Sequence, residues 1–381
     1  MKKEFSNLPI YKELNEEYLL KKHIVKNFPN NFGIVKDEKE IEYATTSGTT
    51  SDRMEIVRKL NWWADEYVRT YSNDEKLKKY LDDNLHKVIF TTAQCSNLVC
   101  FLEKPPMDKR IINNTLYVNN TFNPWDWTKE DIKQIIYEIN YFKPYYLDAD
   151  PVYLAVFLYL KDKYNIKEEL FKPEIITLSY EFVQENLRKY IKKEIDTDIR
   201  NLYGTTEFGY ALLENKDGKM KLCKDLLDAE LLSVSEENNI YTLIISSVKN
   251  EYMPLINYRV GDMVIASKEE AENFKKEGIV SKMAGREKDM LNGNVSYSVL
   301  DEIVSEALYN ILFYQFYFIS DSMCYFRYIT HDGEKLPETI VEDIKNKIKD
   351  IGLNMKIKFD LVEEIAPEKS GKFAIVKKTM K

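Results

Sequence analysis

Hydrophobic and polar positions follow two rhythms along the chain. Apolar residues recur at every third or fourth place in 11–27, 62–80 and 132–139, which predicts helices there. Short β-rich runs at 87–92, 145–147, 175–178 and 199–203 predict strands. Pro151 suits the first turn of a helix running to about Tyr164, and 185–193 predicts another. Strands and helices thus alternate between 87 and 203, which predicts a mostly parallel sheet with ligands at the C-terminal ends of its strands. After Gly204 the texture changes. Residues 231–248 and 254–266 are strand-rich and predict an antiparallel addition. From Ser281 onward a compact α/β module is predicted: a helix at 299–312, strands at 313–319 and 324–329, and a helix at 337–351. Ile340, Ile344, Ile348 and Ile351 share one face of that last helix, and Met355, Ile357, Phe359 and Leu361 alternate along a following strand.

Composition narrows the classes. A chain of 381 residues is too long for one ordinary core, so a large domain with a smaller satellite is expected. Lys and Arg number 55 against 63 Asp and Glu, a net charge of −8, which argues against a general grip on nucleic acid or an anionic membrane. With 44% hydrophobic and 31% charged residues the chain reads as globular. Its longest apolar stretches, 152–160 and 311–318, fall short of the ~18 to 20 residues of a membrane span. The first 20 residues lack the apolar core of a secretion signal, so a cytoplasmic address is expected. Cys95, Cys100, Cys223 and Cys324 form no Cys-x-x-Cys pair, and His23, His86 and His331 lie far apart, so neither a disulfide scaffold nor a zinc or histidine metal centre is expected.

Five segments carry candidate chemistry. The run Thr45-Thr46-Ser47-Gly48-Thr49-Thr50-Ser51 sets hydroxyls around one glycine, and such a loop can cradle phosphate oxygens, though alone it reads equally as a surface Ser/Thr turn. It lacks the second glycine and lysine of a Walker loop. In Asn201-Leu202-Tyr203-Gly204-Thr205-Thr206-Glu207 an apolar strand ends by exposing hydroxyls and a carboxylate suited to Mg²⁺, or simply a solvated turn. Asn257-Tyr258-Arg259-Val260-Gly261-Asp262 offers a carboxylate for ribose hydroxyls or a β-turn. Gly285-Arg286-Glu287-Lys288-Asp289-Met290 lies at the junction of the inferred modules. Finally, Pro367-Glu368-Lys369-Ser370-Gly371-Lys372-Phe373 presents Lys372 from a Ser-Gly turn.

Taken in this order, the five segments resemble the adenylate-forming superfamily of acyl-CoA and aryl-CoA ligases, luciferase and peptide-synthetase adenylation domains. The chain looks most like its phenylacetate-CoA ligase and CapK-like branch, through Asn257-Tyr258-Arg259 before Gly261-Asp262 and through Gly285-Arg286-Glu287-Lys288-Asp289-Met290-Leu291. The stretches 139–151 and Leu178-Ser179-Tyr180-Glu181 resemble the segments leading to the acyl pocket. The resemblance implies a large ATP- and acyl-binding domain, 1–285, with mixed sheets and helices, and a small hinged α/β domain, 286–381. It implies that a carboxylate attacks ATP to give acyl-adenylate and pyrophosphate, and that a thiol of coenzyme A or a carrier protein then takes the acyl group. Thr46, Ser47, Gly48, Thr49 and Thr50 would contact phosphates, and Tyr203, Gly204 and Thr205 would lie along the nucleotide. Thr206 and Glu207 would hold phosphate and Mg²⁺, and Asp262 with Arg286 would serve the ribose. Lys288 would be the hinge, Ser179, Tyr180 and Asp150 would line the acyl pocket, and Lys372 would reach the α-phosphate.

Some positions depart from the family pattern. Ser51 replaces the second glycine of the phosphate loop, and Asp52, Arg53 and Met54 stand where its lysine would follow, so Arg53 is a substitute candidate. The N-terminal part is short, and the glycine-rich stretch after the hinge shrinks to Asn292-Gly293-Asn294. The zinc-binding cysteine cluster of some members is missing, so no structural metal is expected. Aromatic residues at 141, 142, 145, 146, 153 and 180 suit an aryl or other small acid as well as a core, and Asp148, Asp150 or Glu181 are the carboxylates an amino acid would need. The acidic chain tilts the thiol acceptor toward a carrier protein. The alternatives are a lapsed adenylating fold that binds without turnover and an unrelated α/β protein with coincidental motifs.

Overall fold

The structure, a computed structural model, describes residues 5–26, 28–33, 40–46, 53–91, 105–119, 121–307, 310–320 and 322–379. Contacts group the chain into two compact units, Met1–Lys78 with Leu202–Lys288, and Lys79–Asn201 with Asp289–Lys381.

The second unit holds the predicted parallel sheet. Strands Thr115–Tyr117, Lys87–Phe90, Tyr146–Ala149 and Ile175–Leu178 run side by side in parallel, and the first residues of Asp198–Thr205 continue the sheet. Every residue of Tyr146–Ala149 and Ile175–Leu178 is buried, as expected where helices cover both faces. The covering helices are Lys129–Phe142, Pro151–Lys163 and Glu185–Ile195. Thr128 and Asp131 form a reciprocal capping box for the first. Asp150 caps the second, with Pro151 in its first turn.

The C-terminal residues fold as predicted into helices Tyr297–Glu306 and Glu338–Asp350 on a sheet ordered Lys356–Leu361, Met323–Thr330, Ile311–Ser320, Val376–Lys378. Val341, Ile344 and Ile348 are buried, and Ile357, Phe359 and Leu361 are the half-buried positions of an otherwise exposed strand. Part of its apolar surface is shared with the parallel-sheet layer. Leu312, Phe313, Ile329, Ile365 and Phe373 belong to the same apolar cluster as Phe90, Tyr153 and Phe157 of the parallel sheet and its helices.

The first unit contains the expected antiparallel addition, a sheet ordered Asp228–Ser235, Ile240–Ser247, Leu255–Ile265, Lys282–Arg286. The antiparallel strands Ile41–Thr45 and Glu55–Lys59 stand on either side of the hydroxyl-rich segment in sequence. Three elements differ from expectation. Over 11–27 there are two short helices, Pro9–Lys12 and Lys21–Lys26, because Leu19 bonds the backbone of Asn257 and Arg259 at 2.9 Å each and is drawn into an extended bridge. Over 62–80 helix Trp62–Tyr71 ends, and a second, Glu75–Asp82, starts where the Asp74 carboxylate accepts from Lys76 N at 2.9 Å and Leu77 N at 3.2 Å. The helix expected over 299–312 stops at Glu306, since Ile311 already pairs with Thr330 in the sheet.

Inside the second unit Arg110 and Glu138 form a buried bidentate pair at 2.9 and 2.5 Å, and Arg110 also donates to Tyr117 O at 2.7 Å. Removing one partner leaves the other charge buried and unpaired. Glu138→Ala should therefore lower unfolding free energy by roughly 3–5 kcal/mol in urea titration.

Candidate active site

In the first unit, the strand Asp198–Thr205 delivers Tyr203, Gly204 and Thr205, and the turn that follows holds Thr206 and Glu207. Gly204 is required by packing. A Cβ there would stand 2.8 Å from the Tyr210 ring and 2.9 Å from Gly209 O. Thr205 Oγ1 accepts from Phe208 N at 3.2 Å and closes the turn. The strand Leu255–Ile265 brings Tyr258 and Asp262 beside it, with Gly261 at φ +83°, a left-handed backbone that favours glycine. The register pairs Asp262 with Arg286.

These elements bring the predicted nucleotide residues together. The Tyr203 hydroxyl donates to Asp262 Oδ2 at 2.7 Å, and Arg286 Nε lies 3.7 Å from Asp262 Oδ1. The Tyr258 hydroxyl donates to Glu207 Oε1 at 3.3 Å. Burial, and the Asp262 charge, push the Glu207 carboxyl above its usual range, with Lys21 pulling the other way. A divalent cation would relieve that strain, so the carboxylate suits one. Among the described residues no group of three His, Cys, Asp or Glu could hold a metal by itself, so phosphate oxygens would have to complete the coordination. Thr46 lies just beyond the strand Ile41–Thr45. Its Oγ1 accepts from Met54 N at 3.0 Å and lies 3.4 Å from Lys21 Nζ. Ser47, Gly48, Thr49 and Thr50, with Ser51 and Asp52, lie outside the described residues. Arg53 is exposed. Lys288 is exposed in the turn Glu287–Asp289, where the chain passes between the two units. Arg259 and Glu287 tie that turn to the strand Leu255–Ile265 with contacts of 3.1 and 3.0 Å.

In the second unit Asp150, Ser179, Tyr180 and Glu181 stand just beyond the C-terminal ends of two parallel strands, where such sheets place ligands. Ser179 and Tyr180 converge on Asp148. Its Oδ1 accepts from Thr177 and Ser179, both at 2.8 Å, and its Oδ2 accepts from Tyr180 at 3.0 Å and lies 3.2 Å from Lys87 Nζ. Asp148 is therefore engaged by the protein itself. Tyr180 sits at φ +77°, a conformation costing a bulky residue about 1–3 kcal/mol, and it turns Glu181 back toward Asp150. Asp150 accepts from Val152 N at 2.9 Å and Tyr153 N at 3.2 Å. Burial raises Asp150 to about 6, and burial plus the Asp150 charge raises Glu181 well above the usual range, with Lys372 opposing both shifts. Lys372 thus stands within the field of both carboxyls.

Lys87, Asp148 and Tyr153 complete this arrangement; the sequence named Asp148 and Tyr153 only as acyl-pocket candidates and did not single out Lys87. The lysine opening an otherwise apolar strand was the available signal for Lys87.

The fold is that of the adenylate-forming ligases. It superposes on 2-hydroxyisobutyryl-CoA ligase in the postadenylation state with R3-HIB-AMP, with a TM-score of 0.68 and 12% identity, over 96% of this chain and 80% of that one. The benzoate CoA ligase of Burkholderia xenovorans LB400 gives 0.57 at 15% identity, covering 87% of this chain and 67% of the other. The anthranilate CoA ligase AuaEII with anthranoyl-AMP gives 0.55 at 15% identity, covering 87% and 65%. In sequence the chain is similar to Protein CapK of Staphylococcus aureus, with 27% identity over 266 residues. That match covers 65% of this chain and 56% of CapK, little more than half of its length. No family model matches the sequence. Among the described residues no helix is long and apolar enough to cross a membrane.

The raised Asp150 has a consequence for pH. A carboxyl whose folded value exceeds its unfolded value contributes stability that is full below the unfolded value and is lost as pH rises through the folded one. For Asp150 that window runs from about 4 to just above 6. Asparagine caps a helix as well as aspartate and does not ionise. The fall in melting temperature between pH 5 and 7.5 should therefore be smaller, by a few degrees, in Asp150→Asn than in the unsubstituted protein.

Proposed function

We propose that the protein activates a carboxylic acid with ATP as acyl-adenylate and passes the acyl group to a thiol. The observation that carries this reading is the clustering of Tyr203, Glu207, Asp262 and Arg286, residues remote in sequence, at one strand end of an adenylate-forming fold. In the first step the substrate carboxylate attacks the α-phosphate and pyrophosphate leaves. In the second the thiol attacks the acyl carbonyl and AMP leaves. Asp262 binds ribose hydroxyls with Arg286 beside it, and Tyr203, Gly204 and Thr205 border the adenine and acyl groups. Thr46, Ser47, Gly48, Thr49 and Thr50 contact phosphates. Thr206 and Glu207 hold phosphate and Mg²⁺, which supplies charge neutralisation for pyrophosphate as it departs.

Lys372 stabilises the negative charge that grows on the α-phosphate during adenylation. A cation that acts only in that step lowers its barrier preferentially. Residues 286–381 then move about Lys288 as a small domain, apart from 1–285, and withdraw Lys372 before thiol transfer. Ser179, Tyr180 and Asp150 border the acyl pocket, and the aromatic residues around them favour an aryl or other small acid. Asp148 already engages four donors, which leaves it unsuited to a substrate amino group. The acceptor is a carrier protein or coenzyme A, and the setting is cytoplasmic. Ser51 and the missing loop lysine favour a second reading, an adenylating fold that binds nucleotide or acyl ligand without turnover.

The deciding measurement is Mg²⁺- and ATP-dependent pyrophosphate release over a panel of aryl, aliphatic and amino acids, with hydroxylamine trapping the adenylate. A substrate-dependent signal is expected. Lys372→Ala should reduce it by about 10²- to 10³-fold and leave thiol transfer from presynthesised acyl-adenylate within a few-fold of normal. Equal loss in both half-reactions would rule out the alternation of domains, and silence across the panel with ATP still bound would favour the second reading.

A further inference from the structure

The turn that presents Lys372 is fastened by its backbone. Glu368 N donates to Lys372 O and Gly371 N to Glu368 O, both at 2.8 Å, with Gly371 at φ +81°. On one side of the lysine, Gly371 O accepts from the Tyr153 hydroxyl at 3.0 Å. On the other, Phe373 N–H donates to Glu181 Oε2 at 2.7 Å. The Phe373 ring is buried, with its centroid 5.6 Å from Tyr153 and 5.5 Å from Phe313. Tyr153 is fixed by the helix that Asp150 caps, and Glu181 is fixed by the left-handed Tyr180, whose hydroxyl Asp148 holds. An unfavourable backbone thus stands at Tyr180, immediately before Glu181, and Glu181 binds the amide next to Lys372.

We propose that Glu181 is a positioning residue for Lys372, capturing the Phe373 amide and so fixing where the ammonium stands during adenylation. The inference rests on the reading of Lys372 given above. Glu181 touches neither nucleotide nor acid in this role. It acts through the turn, and it leaves thiol transfer untouched because that step does not use the docked lysine. Misplacing a reacting group by about 1 Å can cost 10²-fold in rate, which sets the scale of the effect.

Glutamine at 181 can accept from Phe373 N–H through its carbonyl and donate to Asp150 through its amide, whereas alanine can do neither. Glu181→Ala should lower kcat for pyrophosphate release about ten- to a hundredfold with KM for ATP and acid within about threefold, and should leave thiol transfer from presynthesised adenylate intact. Glu181→Gln should restore most of the rate. Circular dichroism and thermal melting would verify that both variants fold. In parallel, hydrogen exchange at the Phe373 amide should quicken at least about tenfold in Glu181→Ala and stay near normal in Glu181→Gln, a readout independent of turnover. Unchanged exchange in the alanine variant, unchanged kcat in it, or equal loss in both variants would overturn the proposal. If the unsubstituted protein releases no pyrophosphate with any acid, the functional reading fails instead, and the exchange arm alone decides whether Glu181 docks the turn.

Discussion

Asp148 is fully buried, and a carboxylate there is tolerable only because Thr177, Ser179, Tyr180 and Lys87 surround it with donors. Those donors come from the strands Lys87–Phe90 and Ile175–Leu178 and from the two residues that follow the latter, while Asp148 sits in the strand between them. One charge therefore ties three neighbouring strands, reaching the first residue of one and the C-terminal ends of the other two. The same contact fixes the Tyr180 hydroxyl, and with it a left-handed backbone that no local preference would choose. The direction of Glu181, and through it the seat of the lysine turn, depends on a group that reaches neither. Removing one donor from such a centre costs more than a surface hydrogen bond, because what remains is an undersatisfied buried charge.

The parts of the fold that periodicity specifies were legible. The strand over 175–178 and the alternation at Ile357, Phe359 and Leu361 appear as read, because one buried face or a continuous apolar run leaves a direct imprint on the sequence. The helix expected over 62–80 failed for a local reason, since Asp74 caps the start of a second helix within a pattern that looks continuous. The helix over 11–27 failed for a distant one, since Leu19 pairs with residues more than two hundred positions away. Among the expected site residues, Tyr203, Asp262 and Arg286 carry a motif and meet in space. Lys87 carries no motif, and Asp148 was one of three candidate carboxylates with nothing to set it apart. Their significance lies in the register between adjacent parallel strands, which a single sequence does not reveal.

The first unit solves a different electrostatic problem. Glu207 and Asp262 are both half-buried acids in the same corner, and the Asp262 charge raises the cost of ionising Glu207. Tyr203 and Tyr258 respond by donating their hydroxyls, and their own ionisation is pushed far up by burial and by these acids. Arg286 supplies positive charge to Asp262, while Glu207 receives the Tyr258 hydroxyl at 3.3 Å, hydrogen bonds from Thr205 and its own backbone, and a weak influence from Lys21. The asymmetry matches a division of labour. In the proposed reading, the acid with a guanidinium beside it would serve neutral hydroxyls, and the acid short of positive charge would hold a cation.

The lysine turn presents the complementary case. Asp150 and Glu181 are adjacent acids inside the second unit, and burial drives both toward their protonated forms. Lys372 is the cation that opposes this drive. With one proton on the pair and one charge on the lysine the cluster is neutral, which is the least costly state in a poorly solvated site. Any departure of the turn removes that cation and leaves the pair to hold its proton more tightly. The protonation of the two acids and the seating of Lys372 are therefore linked quantities, and by thermodynamic reciprocity whatever shifts one shifts the other. The strain at Tyr180, the cap at the start of the helix Pro151–Lys163 and the buried ring of Phe373 all bear on this one balance, because each determines how far the turn must travel before the linkage is broken.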